Sequence, residues 1–483
     1  MTTHEKSDIE RLRDAIDVAW EEARKFGLDP FPTHFELVPA SIMYEFASYS
    51  LPGRFSHWTH GKAYHRQKMQ YDFGLSKIYE MVVNTNPSYA FLMDMNNLLQ
   101  NTFVAAHVFG HTDFFKNNAY FQHTSRRMID KVSIHAERIA KYEFDHGKAE
   151  VERFLDAALS IQEHVDYNLL LRSEEPEANG KSRTTPSTEY DDIWGLEEKE
   201  KEKRAEEERD RANAKPPKFP EKPEKDLLLF LMHHAPHLQP WQRDIIEIVH
   251  SEMLYFIPQM QTKTMNEGWA SIWHSRIMRQ LGEKGVISDS DIIEFAQLHS
   301  GVLSPSRTSL NPYYIGFKVL EDIERRWDNP TREEQDRLGR KPGQGRQKIF
   351  EVREMDNDVS FLRNYLTEDL IKDLDLYLYK KEGDEWVVVE KNWQKVRDGI
   401  VNSMTNFGYP YLVVDNGDYR GNRELYIKHL YEGQDLDLNY AEKTLQHVYL
   451  LWGRPVHLET FYENKRILLS YDGERNTKST LEK

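Results

Sequence analysis

The sequence predicts a mostly α-helical protein that ends in a small α+β domain. Apolar residues recur at helical spacing over most of the first 328 residues, beginning with Ile9, Leu12 and Ile16. After about residue 355 the pattern changes to short alternating runs separated by turn residues, which is typical of strands. A chain of 483 residues is long enough for two or three domains and a sizeable core.

The first part of the chain is predicted to be helical over 8–26, about 40–50, 63–83, 97–110, 126–144 and 147–170. The last two helices are long and amphipathic, and the break between them lies near Gly147. Residues 55–62 form a loop rich in aromatic rings and imidazoles. This loop is either a packed, hydrogen-bonded connection or a wall of an active cleft.

The composition changes abruptly between Ser173 and Lys225. This stretch has few apolar residues, a charged run over 197–204, and prolines at 216, 217, 220 and 223. It cannot bury enough apolar surface to fold alone, so we expect a mobile insertion that is partly helical at 196–212. The insertion acts as a solvated spacer or, alternatively, docks a partner.

Helical signals resume after the insertion. Pro240 suits the first turn of a helix that runs to Ile257 and stops at Pro258. Further helices are predicted over 265–281, 289–299 and 311–327. No alternating run interrupts residues 225–328, so this section is predicted to be all-helical.

The C-terminal part is predicted to follow the order ββαββαββ. A hairpin of 375–381 and 385–390 precedes strands and helices over 392–407, 410–415, 423–431, 439–452, 455–462 and 466–471. This order indicates a mainly antiparallel sheet with helices on one face, which we interpret as an interaction or regulatory module. Four parts are predicted in all: a helical domain in two halves (1–172 and 226–355), the insertion (173–225), the α+β domain (356–475) and a tail (476–483).

Composition excludes several classes of protein. The net charge is −16 and no basic tail is present, which argues against a general binder of nucleic acid or anionic membranes. The absence of cysteine excludes disulfides, thiolate nucleophiles and iron–sulfur clusters, so any metal must bind His, Asp, Glu or water. The N-terminus is too charged for a secretory signal, and apolar runs such as 227–232 are far shorter than the roughly 20 residues of a membrane helix. We therefore expect a cytoplasmic protein without a membrane span.

His107 and His111 are the first candidate metal ligands. They lie four residues apart, so a helix places them on one face, and the residues around them are apolar on nearly all sides. Buried imidazoles need partners, and a metal ion is one such partner.

Glu267 is the third candidate ligand. It lies on a second predicted helix with His274, among Trp269 and Trp273, where a carboxylate is costly unless a positive group meets it. Two histidines on one helix and a glutamate from a distant helix form the ligand set of a zinc site with an open position. The alternative is a core network without metal, because a chain with 20 histidines also produces such a pair by chance.

The usual catalytic base of a zinc peptidase is missing. In the pattern His-Glu-x-x-His the glutamate activates water, whereas Val108 occupies that position here. The remaining candidates for a base are Glu252, His274 and Glu137, of which we assign Glu252 and His274 as catalytic. A different interpretation is a carboxylate-bridged site for two metals, built from His107, His111, Glu252, Glu267 and His274.

Several long motifs resemble the SpoVR family, stage V sporulation protein R. They are HVFGHTDFFKNN at 107–118, NEGWASIWH at 266–274, RFSHW at 54–58, QYDFGLSKIYE at 70–80 and LNPYYIGF at 310–317. The resemblance covers nearly the whole chain and is weakest in the insertion. It implies a cytoplasmic bacterial protein required for the spore cortex, a modified peptidoglycan, and relatives that occur beside a serine protein kinase.

The segment NEGWAS is also similar to the Asn-Glu-Gly-Phe-Ala segment of gluzincin aminopeptidases. In those enzymes the glutamate is the third zinc ligand, and the matching residue here is Glu267. This similarity implies a zincin-like metal site in the helical domain, although Val108 departs from the peptidase pattern.

Two functions follow as hypotheses. The first is a sporulation protein with a divalent metal, zinc by the ligand set, that hydrolyses an amide in a peptide or peptidoglycan precursor. The second is a scaffold or regulator without enzymatic activity in a kinase-linked complex, in which the His and Glu cluster is structural.

Overall fold

The computed structural model describes residues 7–72, 80–168, 218–305, 309–383 and 385–481. The helices are α1 (Asp8–Lys25), α2 (Ala40–Tyr49), α3 (Trp58–Asp72), α4 (Leu98–Asn117), α5 (Met128–His146), α6 (Lys148–Leu159), α7 (Leu227–His234), α8 (Pro240–Gln261), α9 (Lys263–Glu283), α10 (Asp289–Val302), α11 (Pro312–Asp328), α12 (Arg332–Leu338), α13 (Gly345–Met355), α14 (Asp358–Tyr365), α15 (Glu368–Asp373), α16 (Trp393–Met404) and α17 (Leu438–Trp452). The strands are β1 (Thr33–Val38), β2 (Glu80–Val83), β3 (Ser88–Met93), β4 (Leu378–Glu382), β5 (Glu385–Glu390), β6 (Leu412–Tyr419), β7 (Glu424–His429), β8 (Val456–Tyr462), β9 (Lys465–Tyr471) and β10 (Asn476–Thr480). The prediction of a mostly helical chain with a C-terminal sheet is confirmed.

The chain divides into two compact units. The first comprises Met1–Glu152 and Ser251–Tyr409, and the second comprises Arg153–His250 and Pro410–Lys483. These limits cut the chain within α6 and α8, at places different from the domain boundaries that composition suggested.

The core of the first unit is built around α4. This helix begins at an Asn97 capping box with Gln100, and nearly all of its residues are buried. It packs against α1, α9 and α13, while α9 also packs against α11. A helix that is apolar all round is stable only inside such a shell of other helices.

Glycines permit the close packing of α9 on its neighbours. A Cβ atom on Gly110 of α4 would lie 2.5 Å from the Cα of Ala270, and one on Gly268 would lie 2.3 Å from the backbone carbon of Gly316. Both glycines lie inside helices, where glycine costs about 1 kcal/mol relative to alanine. Their place here is explained by the backbone contact, which brings residues 107–111 and 267 into one region.

The N-terminus of α9 is held by a buried carboxylate. Asp358 accepts hydrogen bonds from the backbone N–H groups of Thr264 and Met265, both at 2.8 Å. These donors lie in the first turn of the helix and have no partner within it, so Asp358 satisfies them. The contact fixes the end of the helix that carries Glu267.

A three-stranded sheet in the first unit corrects the prediction that residues 1–172 form a helical region. Its order is β1–β3–β2, with β1 parallel and β2 antiparallel to β3. The predicted helix over 63–83 is wrong at its end, because residues 80–83 form β2. Strand β3 is buried along most of its length, so it lacks the alternation that marks a half-exposed strand.

Two further corrections concern the C-terminal part. The predicted hairpin exists as β4 and β5, but it forms a separate two-stranded sheet in the first unit. The predicted tail at 476–483 contains β10, which pairs antiparallel with β9. The helix predicted to stop at Pro258 continues to Gln261.

The second unit contains a five-stranded sheet in the order β10–β9–β8–β7–β6. All neighbours are antiparallel except β7 and β8, which are joined through α17, and α17 packs on β8 and β9. The predicted mainly antiparallel sheet is therefore confirmed. Residues 173–217 of the insertion predicted over 173–225, with the helix predicted at 196–212, lie outside the described residues. Glu224, near the end of the insertion, forms a β-bridge with Val414.

Among the described residues, no helix combines the length and apolar character needed to cross a membrane.

Candidate metal centre

His107 and His111 lie side by side on the buried face of α4. Their side chains are almost inaccessible, and their ring centroids are 4.5 Å apart with the ring planes nearly perpendicular. This arrangement follows from the four-residue spacing, which places them one turn apart on the same helix face. Both imidazoles are therefore largely shielded from bulk water.

Glu267 reaches the same point from α9. Its Oε2 atom lies 3.5 Å from the Nε2 of His107 and 3.5 Å from the Nε2 of His111. Good N–H···O hydrogen bonds are about 2.7–3.2 Å long, so both separations are too long for strong direct bonds. The three candidate ligands named from the sequence therefore converge.

Asn266 fixes the orientation of His111. The Nδ1 of His111 lies 2.9 Å from the Oδ1 of Asn266, and an amide oxygen can only accept. His111 therefore carries its proton on Nδ1, and the lone pair on Nε2 faces Glu267. Metal-binding histidines are generally oriented in this way by an acceptor on the other ring nitrogen.

His107 is oriented by a row of imidazoles. Its Nδ1 lies 2.8 Å from the Nδ1 of His274, and the Nε2 of His274 lies 2.8 Å from the Nδ1 of His299 on α10. If each ring donates to the next, His107 and His274 give their protons outward toward His299, and the Nε2 of His107 is left as an acceptor. His274 is thus brought to the cluster, but both of its nitrogens are engaged.

Two buried atoms at the centre have no hydrogen-bond partner. They are the Nε2 of His107 and the Oε2 of Glu267. Buried polar atoms are almost always paired, and an unpaired one costs about 1–3 kcal/mol. A divalent cation between imidazole nitrogens and a carboxylate would satisfy both atoms at once, so the residues present fit a metal ion.

Glu80 is the residue that the sequence did not reveal. One oxygen of its carboxylate lies within 4.8 Å of ligand nitrogens of His107 and His111. It begins β2, in a stretch predicted to be helical, so its position could not be anticipated. The one available signal was its place at the end of the motif QYDFGLSKIYE.

Burial and neighbouring charges shift the titration of the cluster. Burial raises the pKa of Glu80 to about 7, with a further contribution from Glu267. Burial also opposes ionisation of Glu267, but His111, His107 and a hydrogen bond from Tyr313 outweigh it, so its pKa is lowered. The pKa of His111 is lowered by burial and by His107. Neutral imidazoles beside an ionised Glu267 are the forms that bind a metal.

Glu252 lies in a different cluster. Its carboxylate is fully buried, with Oε2 2.6 Å from the Nε of Arg54 and Oε1 3.0 Å from the Nδ1 of His135. Within the described part of the chain, none of its hydrogen bonds or ion pairs involves His107, His111 or Glu267. The geometry therefore does not place Glu252 where a base or a bridging ligand would act, and Glu137, the other candidate base, is exposed on α5.

The fold and the cluster define a class: a mainly helical protein with a C-terminal sheet and a buried group of His and Glu side chains at metal-binding distance. The chain belongs to the SpoVR family. The family model described as SpoVR like protein matches residues 6–409, and that of the SpoVR-like C-terminal domain matches residues 410–463.

A curated relative covers almost the whole chain. It is the "Uncharacterized protein YcgB" of Escherichia coli (strain K12), which is 30% identical over 488 residues that span 94% of each chain. No solved structure matches. The family name implies a role in sporulation.

Proposed function

We propose that this chain is a metal-dependent sporulation protein whose site is formed by His107, His111 and Glu267. The observation that carries the proposal is the facing pair of unpaired buried atoms, the Nε2 of His107 and the Oε2 of Glu267. The Nε2 of His111 lies at the same distance from that oxygen. Zinc is the metal that this ligand set favours, because zinc sites with an open position commonly use two histidines and one carboxylate.

The activity proposed for the site is hydrolysis of an amide in a peptide or peptidoglycan precursor. A bound divalent metal would supply Lewis-acid activation of a water or carbonyl oxygen. The chain's own residues would orient the site: Asn266 holds His111, His274 holds His107, and Tyr313 hydrogen-bonds Glu267. His274 is therefore a positioning residue in this account rather than a general base.

Glu80 is the carboxylate best placed to act as the general base, because Val108 occupies the position of the usual catalytic glutamate. One oxygen of its carboxylate lies within 4.8 Å of ligand nitrogens of His107 and His111, which is close enough for proton exchange with a water held beside them. If Glu80 were instead a fourth ligand, the site would be closed, as structural zinc sites are. We assign it a role beside the open position.

The test of the proposal is the metal content of full-length protein purified without a tag. We expect about one divalent metal per chain in the wild type, and loss of most of it in Glu267→Gln, because a neutral amide is a poor ligand. The far-ultraviolet circular dichroism of the variant should stay close to that of the wild type. Complementation of a cortex defect should fail with this variant and succeed with the exposed control Glu137→Gln.

A second candidate function is the scaffold or regulator in a kinase-linked complex. The cluster of Arg54, Glu252 and His135 favours this function, because its fully buried carboxylate is satisfied by protein groups alone. A buried group of His and Glu side chains in this chain can therefore be structural. If the protein is such a scaffold, it should contain less than about 0.2 metal per chain, and His107→Ala should not change this ratio. A three-ligand site would instead retain metal tightly. The scaffold function also predicts full complementation by Glu267→Gln.

A further inference from the structure

A row of three polar side chains crosses the five-stranded sheet of the second unit. Glu424 begins β7, His457 lies on β8 and Ser470 lies on β9. His457 is directly opposite Ser470 in the antiparallel register and opposite Tyr426 in the parallel one. Because side chains alternate along a strand, Glu424 shares the face of Tyr426, and all three groups lie on one face.

The hydrogen bonds of this row give each group a defined direction. The Nε2 of His457 lies 2.8 Å from the Oε2 of Glu424, and its Nδ1 lies 2.7 Å from the Oγ of Ser470. A carboxylate only accepts, so the proton of the imidazole lies on Nε2. The lone pair on Nδ1 therefore accepts from the Ser470 hydroxyl, which makes His457 a base for that hydroxyl.

The carboxylate is itself held in place. The Oε1 of Glu424 accepts from the Nδ2 of Asn422 at 2.8 Å, and Arg420 lies 3.5 Å from the Oε2. Glu424 and His457 are buried, whereas Ser470 is partly exposed. Burial lowers the pKa of His457 in spite of its bond to Glu424, so the ring is neutral near pH 7. The nucleophile is thus accessible, while the groups that direct it are shielded.

We propose that Ser470, His457 and Glu424 form an acyl-transfer site, with Ser470 as the nucleophile toward esters. A hydroxyl, a base within hydrogen-bond distance and a third group that orients the base are the elements of an activated serine. In the common Ser-His-Asp arrangement the Nε2 of the histidine faces the serine and its Nδ1 faces the carboxylate, whereas here the two nitrogens are exchanged. In both arrangements the serine donates to the imidazole and the imidazole donates to the carboxylate.

The step balances without a further reagent. The Ser470 oxygen bonds to the ester carbonyl carbon, and its proton moves to the Nδ1 of His457. The bond from that carbon to the alcohol oxygen then breaks, and the same proton passes to the leaving alcohol. Water, deprotonated by His457, hydrolyses the acyl-serine and regenerates the hydroxyl. Throughout the reaction Glu424 accepts a hydrogen bond from the Nε2–H of His457 and stabilises the charged ring.

A second imidazole and hydroxyl pair, on β7 and β8 of the same sheet, provides a comparison. The Nδ1 of His429 lies 2.8 Å from the Oγ1 of Thr460. In the part of the chain that the structure describes, the hydrogen bonds of His429 include no carboxylate. The Thr460 hydroxyl donates to the carbonyl of Phe461 at 3.3 Å, so it accepts from the Nδ1–H of His429. His429 is therefore not a base for this hydroxyl, and we assign the pair no chemistry.

The test uses full-length protein and a fluorophosphonate probe, with the labelled peptide identified by mass spectrometry. We expect covalent labelling at Ser470 in the wild type and none in Ser470→Ala. In Glu424→Gln the amide can donate to Nε2 and favour the wrong tautomer, so the labelling rate should fall by about two to four orders of magnitude. The exposed serine of β10 supplies a matched control, and Ser479→Ala should be labelled like the wild type.

Two results would overturn the proposal. One is absence of labelling in a wild-type protein whose thermal unfolding shows that it is folded. The other is labelling that persists in Ser470→Ala, which would place the reactive group elsewhere. Neither result bears on metal binding by the α4 cluster, because all three residues of the row lie in the second unit.

Discussion

At the scale of single residues, the cluster on α4 shows which information the sequence contained. His107, His111 and Glu267 could be named because their spacing and apolar surroundings made unpaired polar groups costly. Glu80 could not be named, since its strand was predicted as a helix. The pairing of Glu252 with Arg54 could not be predicted either, because Arg54 lies 198 residues away in the chain. Nothing in the local sequence indicates which buried carboxylate Arg54 neutralises.

The role of Glu80 can be separated from that of the three ligands. In Glu80→Gln we expect the metal content to remain close to that of the wild type while complementation of the cortex defect is lost, because the amide cannot accept a proton from water. Elemental analysis and complementation of the same variant give both readings. Loss of metal in Glu80→Gln would show instead a closed site with four protein ligands, as in structural zinc sites.

At the scale of elements, the packing of α4 against α9 depends on a missing side chain. Gly110→Ala would place a Cβ atom 2.5 Å from the Cα of Ala270 and force the two helices apart. The gain in helix propensity is about 1 kcal/mol, whereas overpacking of a buried contact costs about 1–3 kcal/mol and more when backbone must move. We therefore expect a net loss of stability and a loss of metal.

Gly61 provides the matched control for this substitution. It lies within α3, and a Cβ atom there would meet nothing within 4 Å. Gly61→Ala should leave the thermal unfolding temperature unchanged or raise it by the propensity term. Equal unfolding temperatures for Gly110→Ala and the wild type would contradict the close contact of the two helices.

The elements also show which secondary structures a local sequence pattern predicts and which it does not. Long helices, such as α1 with its capping box and α9, were predicted within a few residues. The strands β1, β2 and β3 were not, because they are short and β3 is buried on most of its length, which removes the alternation. Their pairing is set by contacts distant in sequence, which a local pattern does not contain.

At the scale of the whole molecule, buried neutral histidines predict sensitivity to acid. Burial lowers the pKa of His60 and of His164 to about 4, with Arg54 and Lys225 as the next contributions respectively. Between pH 6.5 and 4 the unfolded chain therefore takes up protons that the folded chain does not, so stability falls as the pH falls through this range.

His164 is the cleaner test, because it belongs to the second unit whereas the α4 cluster belongs to the first. At pH 5 we expect it to reduce the free energy of unfolding of that unit by about 2 kcal/mol relative to pH 7. In His164→Leu the difference between unfolding at pH 7 and at pH 5 should shrink accordingly. The exposed control His65→Gln should keep the wild-type difference. An unchanged pH dependence in His164→Leu would show that this histidine is not held neutral.

We propose above that His107, His111 and Glu267 together hold a metal ion. The most direct measurement is anomalous diffraction from crystals of the full chain, recorded at the absorption edge of the metal found by elemental analysis. We expect one strong peak at about 2.0–2.2 Å from the Nε2 atoms of both histidines and from an oxygen of Glu267. An anomalous map without a peak at this point, from protein supplied with zinc during growth and purification, would contradict it.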